Sequence, residues 1–178
     1  MLFDSLAHLF TAPARPTIDH DKVYKILHGS MNNRGFQYKV GHNKMGGDFF
    51  PEMGSDGGLY CYRGYILLGF LYDYDDTDAL IAEVTLPPTA LYLEEHGLIK
   101  AEEFVLGEPR PVLEYLTGLT HLDIVKRHPL NIKFFSTPSY AAQEYVLNQY
   151  PSLVGSIKNA DPMIIELATK YASISLAQ

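Results

Sequence analysis

The sequence predicts an α+β fold: a β-rich N-terminal domain of about five to six strands, followed by short helical repeats at the C-terminus. Three observations predict it. Between residues 22 and 106, short apolar runs are separated by Gly, Pro, Asn and Asp, the pattern of strands joined by turns. From Pro111 onward the spacing of apolar residues becomes helical. Within that tail, His128-Pro129-Leu130-Asn131-Ile132 returns as Tyr150-Pro151-Ser152-Leu153-Val154, and more loosely as Tyr171-Ala172-Ser173-Ile174-Ser175. A recurrence of this length is the mark of stacked helical units. The chain therefore divides into an amphipathic N-terminal helix (1–15), a β-rich domain (16–110) and a helical repeat extension (111–178).

In chain order, Leu2, Phe3, Leu6, Leu9 and Phe10 make one apolar helical face, closed by Pro13 and Pro16. Residues 22–28 read as the first strand, broken by Gly29 and Asn32-Asn33. Residues 35–40 read as the second, with Phe36, Tyr38 and Val40 on one face. A glycine-rich stretch from Gly41 to Gly58 reads as a long loop, and long loops inside compact domains are often functional. Gly57-Gly58 then opens a strand through Tyr62, and a double glycine there lets another group approach the backbone closely. Residues 65–72 fit a buried helix or a strand. Asp73, Asp75, Asp76 and Asp78 mark an exposed, solvated turn. Three further strands follow at 81–86, 90–93 and 101–106. In the tail, Thr137-Pro138 and Asp161-Pro162 are helix starts, with the first residue as N-cap and proline at the first helical position.

The 178 residues are 47% hydrophobic and 20% charged, enough to bury a core. The formal net charge is −7 and no Lys/Arg cluster exceeds Lys126-Arg127-His128, which argues against nucleic acid as a partner. With Cys61 as the single cysteine, an internal disulfide is impossible and a cysteine zinc site is not expected. The longest strongly apolar run, Tyr65 to Tyr72, is too short to cross a bilayer, and the start Met-Leu-Phe-Asp-Ser lacks the features of a signal peptide. The expected location is the cytoplasm, including a host cell cytoplasm, or a virion assembled there.

No metal site is expected. There is no His-Glu-x-x-His, and the acidic run at Asp73 has Asp78 and Val84 where a calcium loop needs Gly and Glu. No Gly-x-Ser-x-Gly, phosphate-binding loop or dinucleotide glycine motif occurs. One constellation does carry chemistry. His28-Gly29 ends the first strand, Gly58-Leu59-Tyr60 opens a later one, and Glu102-Glu103 lies in the last. This order resembles the ADP-ribosyltransferase fold of the diphtheria-toxin and poly-ADP-ribose polymerase type. The resemblance implies NAD as cofactor, with His28 and Gly29 on its ribose and amide and Tyr60 against the nicotinamide. Glu103 would be the catalytic carboxylate, with Glu102 as its substitute. Tyr62, Tyr65 and Tyr72 are all available for the second tyrosine of that family.

A second resemblance spans nearly the whole chain. Phe36-Gln37-Tyr38 through Asn43, Gly57-Gly58-Leu59-Tyr60, Glu83-Val84-Thr85-Leu86-Pro87 and Lys100-Ala101-Glu102 are similar to uncharacterised proteins of large DNA viruses and phages. In those proteins a Gly-Gly-Leu-Tyr-Phe-type domain precedes short helical repeats. Cys61, His42, Thr89 and Glu102 depart from their pattern. This resemblance implies a viral or phage origin and no particular activity. With 13 tyrosines, no tryptophan and a tail built to stack, the leading expectation is a non-catalytic interaction or assembly protein without a cofactor. A minor component of a virus or phage particle is one such protein, and its partner would be another protein or a second copy of the chain. The alternative is the NAD-dependent transferase.

Overall fold

The computed structural model describes residues 16–175, with side chains to residue 170. The N-terminal helix expected at 1–15 lies outside the described residues. The fold is α+β: one eight-stranded antiparallel sheet, a small two-stranded hairpin, and helices that mostly follow the sheet in the chain.

The strands are β1 (Val23–Leu27), β2 (Asn32–Asn33), β3 (Phe36–Gln37), β4 (Gly41–Lys44), β5 (Leu59–Arg63), β6 (Leu80–Thr85), β7 (Tyr92–Glu95), β8 (Leu98–Ala101), β9 (Glu103–Leu106) and β10 (Arg110–Pro111). The large sheet runs β4-β9-β6-β1-β5-β8-β7, with β10 beside β6; β2 and β3 pair with each other. All five residues of β1 are buried, because both faces of the strand are covered. Tyr24 and Ile26 enter a core shared with the helices, whereas Val23 and Leu27 enter a second core with Leu59, Cys61, Ala82, Ile99, Phe104 and Leu106.

Residues 101–106, expected as one strand, are two. β8 pairs with β5 and β7, then Glu102 makes the corner, and β9 pairs with β4 and β6. Ala101 and Glu103 can be no more than about 7 Å apart, yet three strands stand between β8 and β9 in the sheet. The sheet therefore curls back on itself, and the second core fills the inside of the curl.

The expected strand at 35–40 shortens to Phe36–Gln37. Asn43 is the reason: its side chain binds the backbone of Lys39 and Gly41, at 2.7–3.0 Å, and turns the chain after Tyr38. Tyr38 stays buried, and Val40 is left outside at 46% exposure. The same turn starts β4, inside the stretch that the sequence reads as loop.

Residues 65–72, ambiguous by period, lie in a short helix α1 (Gly64–Leu67) continued by a 3-10 helix over Leu68–Asp73. After β10 come α2 (Val112–Tyr115), α3 (His121–Arg127), α4 (Tyr140–Gln149) and α5 (Pro162–Ser175). The first two copies of the tail pattern are real structural copies. Each is a helix followed by a proline-led 3-10 turn, at Pro129–Lys133 and Pro151–Ser156. The third falls inside α5, which runs straight through it. Helix α4 begins at Tyr140 rather than at Pro138. Gln143 takes the Pro138 carbonyl at 2.8 Å and Ser139 N donates to His121 Nδ1 at 3.0 Å, which holds residues 138–139 out of the helix. Asp161 caps α5 as expected, accepting from Met163 N at 2.9 Å. No helix among the described residues is long and apolar enough to cross a membrane.

The acidic turn after the 3-10 helix is a fastener as well as a solvated loop. Asp75 pairs with Lys158 at 2.5 Å, and Asp76 accepts from Ser136 N and Oγ. The Lys158 ammonium, then the bonds from Thr77, hold the Asp75 carboxyl well below the usual carboxylate range. A carboxylate with a depressed folded pKa gives stability that is fully present above its unfolded value, about 4, and lost as pH falls through the folded one. Both partners are about two-fifths exposed, so screening leaves roughly 0.5 kcal/mol. Asp75→Asn should lower the unfolding free energy measured in urea by that amount at neutral pH and leave it unchanged in strong acid. Helix α3 opens with a capping box between Thr120 and Asp123. Thr120→Ala should cost about 1 kcal/mol in the same denaturation measurement.

Candidate functional site

β1 pairs with β6 along all five of its residues but with β5 only at Val23 and Tyr24. Beyond that point the two strands fork. The Ile26 carbonyl accepts from side chains instead, Tyr74 Oη at 3.1 Å and Asn33 Nδ2 at 3.5 Å. A cavity of about 630 Å³ opens at the fork, walled by β1 and β5, the β2–β3 hairpin, the 54–58 loop and the 3-10 helix.

Asn33 organises one wall. Its Oδ1 accepts from His28 N at 3.3 Å and its Nδ2 donates to Tyr74 Oη at 3.0 Å. The His28 ring lies 4.8 Å from the Tyr74 ring, tilted by 40°. Further round, Tyr62 stacks on Phe70 at 4.6 Å, and Tyr72 stacks on His128 at 5.0 Å. Burial pushes the Tyr74 phenol up to about 12 and raises Tyr62 further, so both are neutral hydroxyls. Arg34 sits exposed at the hairpin tip, on the cavity's rim.

The opposite wall is residues 54–58, the end of a loop from residue 50, and one side chain holds that loop. Lys100 is fully buried in β8, with Nζ among five acceptors: the carbonyls of Phe50, Glu52, Ser55 and Asp56 and the Ser55 hydroxyl, at 2.7–3.0 Å. Its stem runs against Gly58, where a Cβ would lie 2.5 Å from Lys100 Cε. The close approach expected at the double glycine is therefore made by this lysine. Tyr60 Oη adds a bond from Gly54 N at 2.9 Å.

The residues singled out in the sequence separate into two places. His28 and Tyr60 line the same cavity, and Gly29 follows His28, its N–H on Asp78 at 3.4 Å. Glu102 and Glu103 do not line it. Glu103 is on β9, beyond β6 from β1, and accepts from His42 at 2.9 Å with Lys44 at 3.5 Å. Glu102 pairs with Lys44 at 2.7 Å. The His42 bond, then the Lys44 charge, holds the Glu103 carboxyl below its ordinary value. Of the tyrosines left open for the second family position, Tyr62 and Tyr72 line the cavity and Tyr65 does not. Cys61 is buried in the curl, where desolvation pushes its thiol up to about 12 and makes it a poor nucleophile. Among the described residues, no group of three or more His, Cys, Asp or Glu side chains could hold a metal ion.

Reading the sequence for motifs misses Lys25, Asn33, Tyr74 and Lys100. The two lysines carry a visible signal: each interrupts an otherwise apolar strand. The arrangement suits a planar ligand, with aromatic faces, a few hydroxyls and two cationic groups, Lys25 inside and Arg34 at the rim. Lys100→Met keeps the stem but leaves buried carbonyls without donors. It should cost about 2–4 kcal/mol and should raise amide hydrogen exchange across residues 50–58 before the rest of the protein.

Comparison with known protein families, with curated proteins and with solved structures finds no match to this chain.

Proposed function

We propose that this protein binds a small molecule with a planar ring in the cavity at the β1–β5 fork. The observation that carries the reading is that His28, just past the end of β1, and Tyr60, on β5, line one cavity of about 630 Å³. Ligand pockets ordinarily measure roughly 300–1,000 Å³ and combine aromatic walls with a few fixed polar groups. Stacking on such walls contributes about 1–3 kcal/mol per ring.

A nicotinamide-bearing ligand such as NAD fits this chemistry, which supports the binding half of the transferase reading. The catalytic half has less behind it, because Glu102 and Glu103 are engaged with His42 and Lys44 outside the cavity. The interaction reading ranks behind binding for a similar reason. Among the described residues, the large exposed apolar side chains come from several elements, among them Leu91 just before β7, Tyr92 on β7, Leu113 on α2, and Met163 and Ile165 on α5.

Ligand-observed NMR with nicotinamide and with NAD tests the proposal. Saturable binding is expected, weakened about tenfold in His28→Ala, the loss of one ring contact, and unchanged in Glu103→Gln. Binding indifferent to His28→Ala would move the ligand elsewhere, and absence of binding by both ring compounds would remove the reading. Release of nicotinamide from NAD that disappears in Glu103→Gln would restore the transferase.

A further inference from the structure

We propose that the ligand of this cavity is a planar aromatic monocarboxylate whose carboxylate pairs with the ammonium of Lys25. The inference rests on the small-molecule reading above and names the class of molecule that the site takes.

Lys25 is the middle residue of β1. It shares the inner face of the curl with Val23 and Leu27, is 4% exposed, and lines the cavity. Among the described residues, no hydrogen bond or ion pair engages its Nζ, which lies over the Tyr38 ring, 5.0 Å from the centroid. A buried ammonium without a counter-ion is costly, and an anion is the group that relieves the cost.

None of its neighbours supplies one. Cys61, from β5, is a neutral thiol, pushed up to about 12 by burial, and Tyr38 is a neutral phenol raised by the same cause. Ala82 is its partner on β6. Arg34, from the hairpin, is a like charge. Desolvation first, and Arg34 with it, pulls Lys25 down to about 8. Asp56, Asp73 and His28 also line the cavity, without an ion pair to Lys25. One ammonium among aromatic rings neutralises one negative charge. A phosphate dianion would carry a surplus into a low-dielectric site.

A bound carboxylate favours the charged amine and so raises the pKa of Lys25 from its free value of about 8. Binding above that pH takes up a proton, and affinity for the acid falls as pH rises.

The test compares nicotinate with nicotinamide, the same ring bearing a carboxylate or an amide, on the full chain by ligand-observed NMR. Nicotinate should bind about tenfold tighter or more, and the preference should fade between about pH 7 and about pH 9. Lys25→Met should bind the two equally. It should also fold, with a thermal midpoint unchanged or raised, because an unpaired buried cation has been removed. Equal binding in the wild type, a preference that survives Lys25→Met, or displacement of nicotinate by weaker concentrations of phenyl phosphate would overturn the Lys25 assignment and leave the planar-ring reading standing. Failure of both rings to bind would overturn both. If Lys25→Met does not fold, Lys25→Gln and the wild-type pH profile decide between the same outcomes.

Discussion

The ladder between β1 and β5 stops after Tyr24 and Tyr62, and the cavity is a consequence of that stop. An unpaired strand edge inside a protein needs its backbone groups satisfied by something else. Here Tyr74 and Asn33 satisfy the Ile26 carbonyl, and both reach it from segments that become walls of the cavity. The substitution fixes the hairpin and the 3-10 helix relative to β1, and it holds His28 by its backbone. The groups that keep the fork open thus also build the site.

Two buried lysines face this arrangement and meet opposite fates. Lys100 has more acceptors than it has protons, all neutral oxygens of one loop. Lys25 has an aromatic face and no acceptor. Both are lysines in strands with apolar neighbours, so residue type cannot separate a structural cation from a binding one. The difference lies in what covers them. Loop 50–58 folds over Lys100 and brings carbonyls; the fork leaves Lys25 facing open space. Gly58 matters to the first of these, because any side chain there would occupy the path of the Lys100 stem.

Much of the fold was legible, and the misses have physical causes. β1, β5 and β6 were visible because their apolar runs end at Gly29, Gly64 and Pro87. β4, Gly41-His42-Asn43-Lys44, carries no apolar signal, since it is an edge strand held by backbone pairing to β9. The corner at Glu102 was hidden because apolar residues continue on both sides of it. Within the site, His28 and Tyr60 could be found as motif residues. Glu103 could be found too, but its sequence distance from them says nothing about which side of β6 it occupies. Asn33 and Tyr74 act through contacts 41 residues apart, which no local pattern encodes.

The curl at Glu102 has a consequence for how the chain reaches its structure. In the eight-stranded sheet, β7 and β8 are the only strands that are neighbours both in sequence and in space among the described residues. Every other pairing joins segments separated by long stretches of chain: β1 waits for β6, and β4 waits for β9. Loop closure must come before those contacts return any energy, which places such topologies at the slow end of folding, in milliseconds to seconds rather than microseconds. The β7–β8 hairpin is then the natural local starting structure, and the edge formed by β4 and β9 is assembled only once most of the sheet's sequence has emerged.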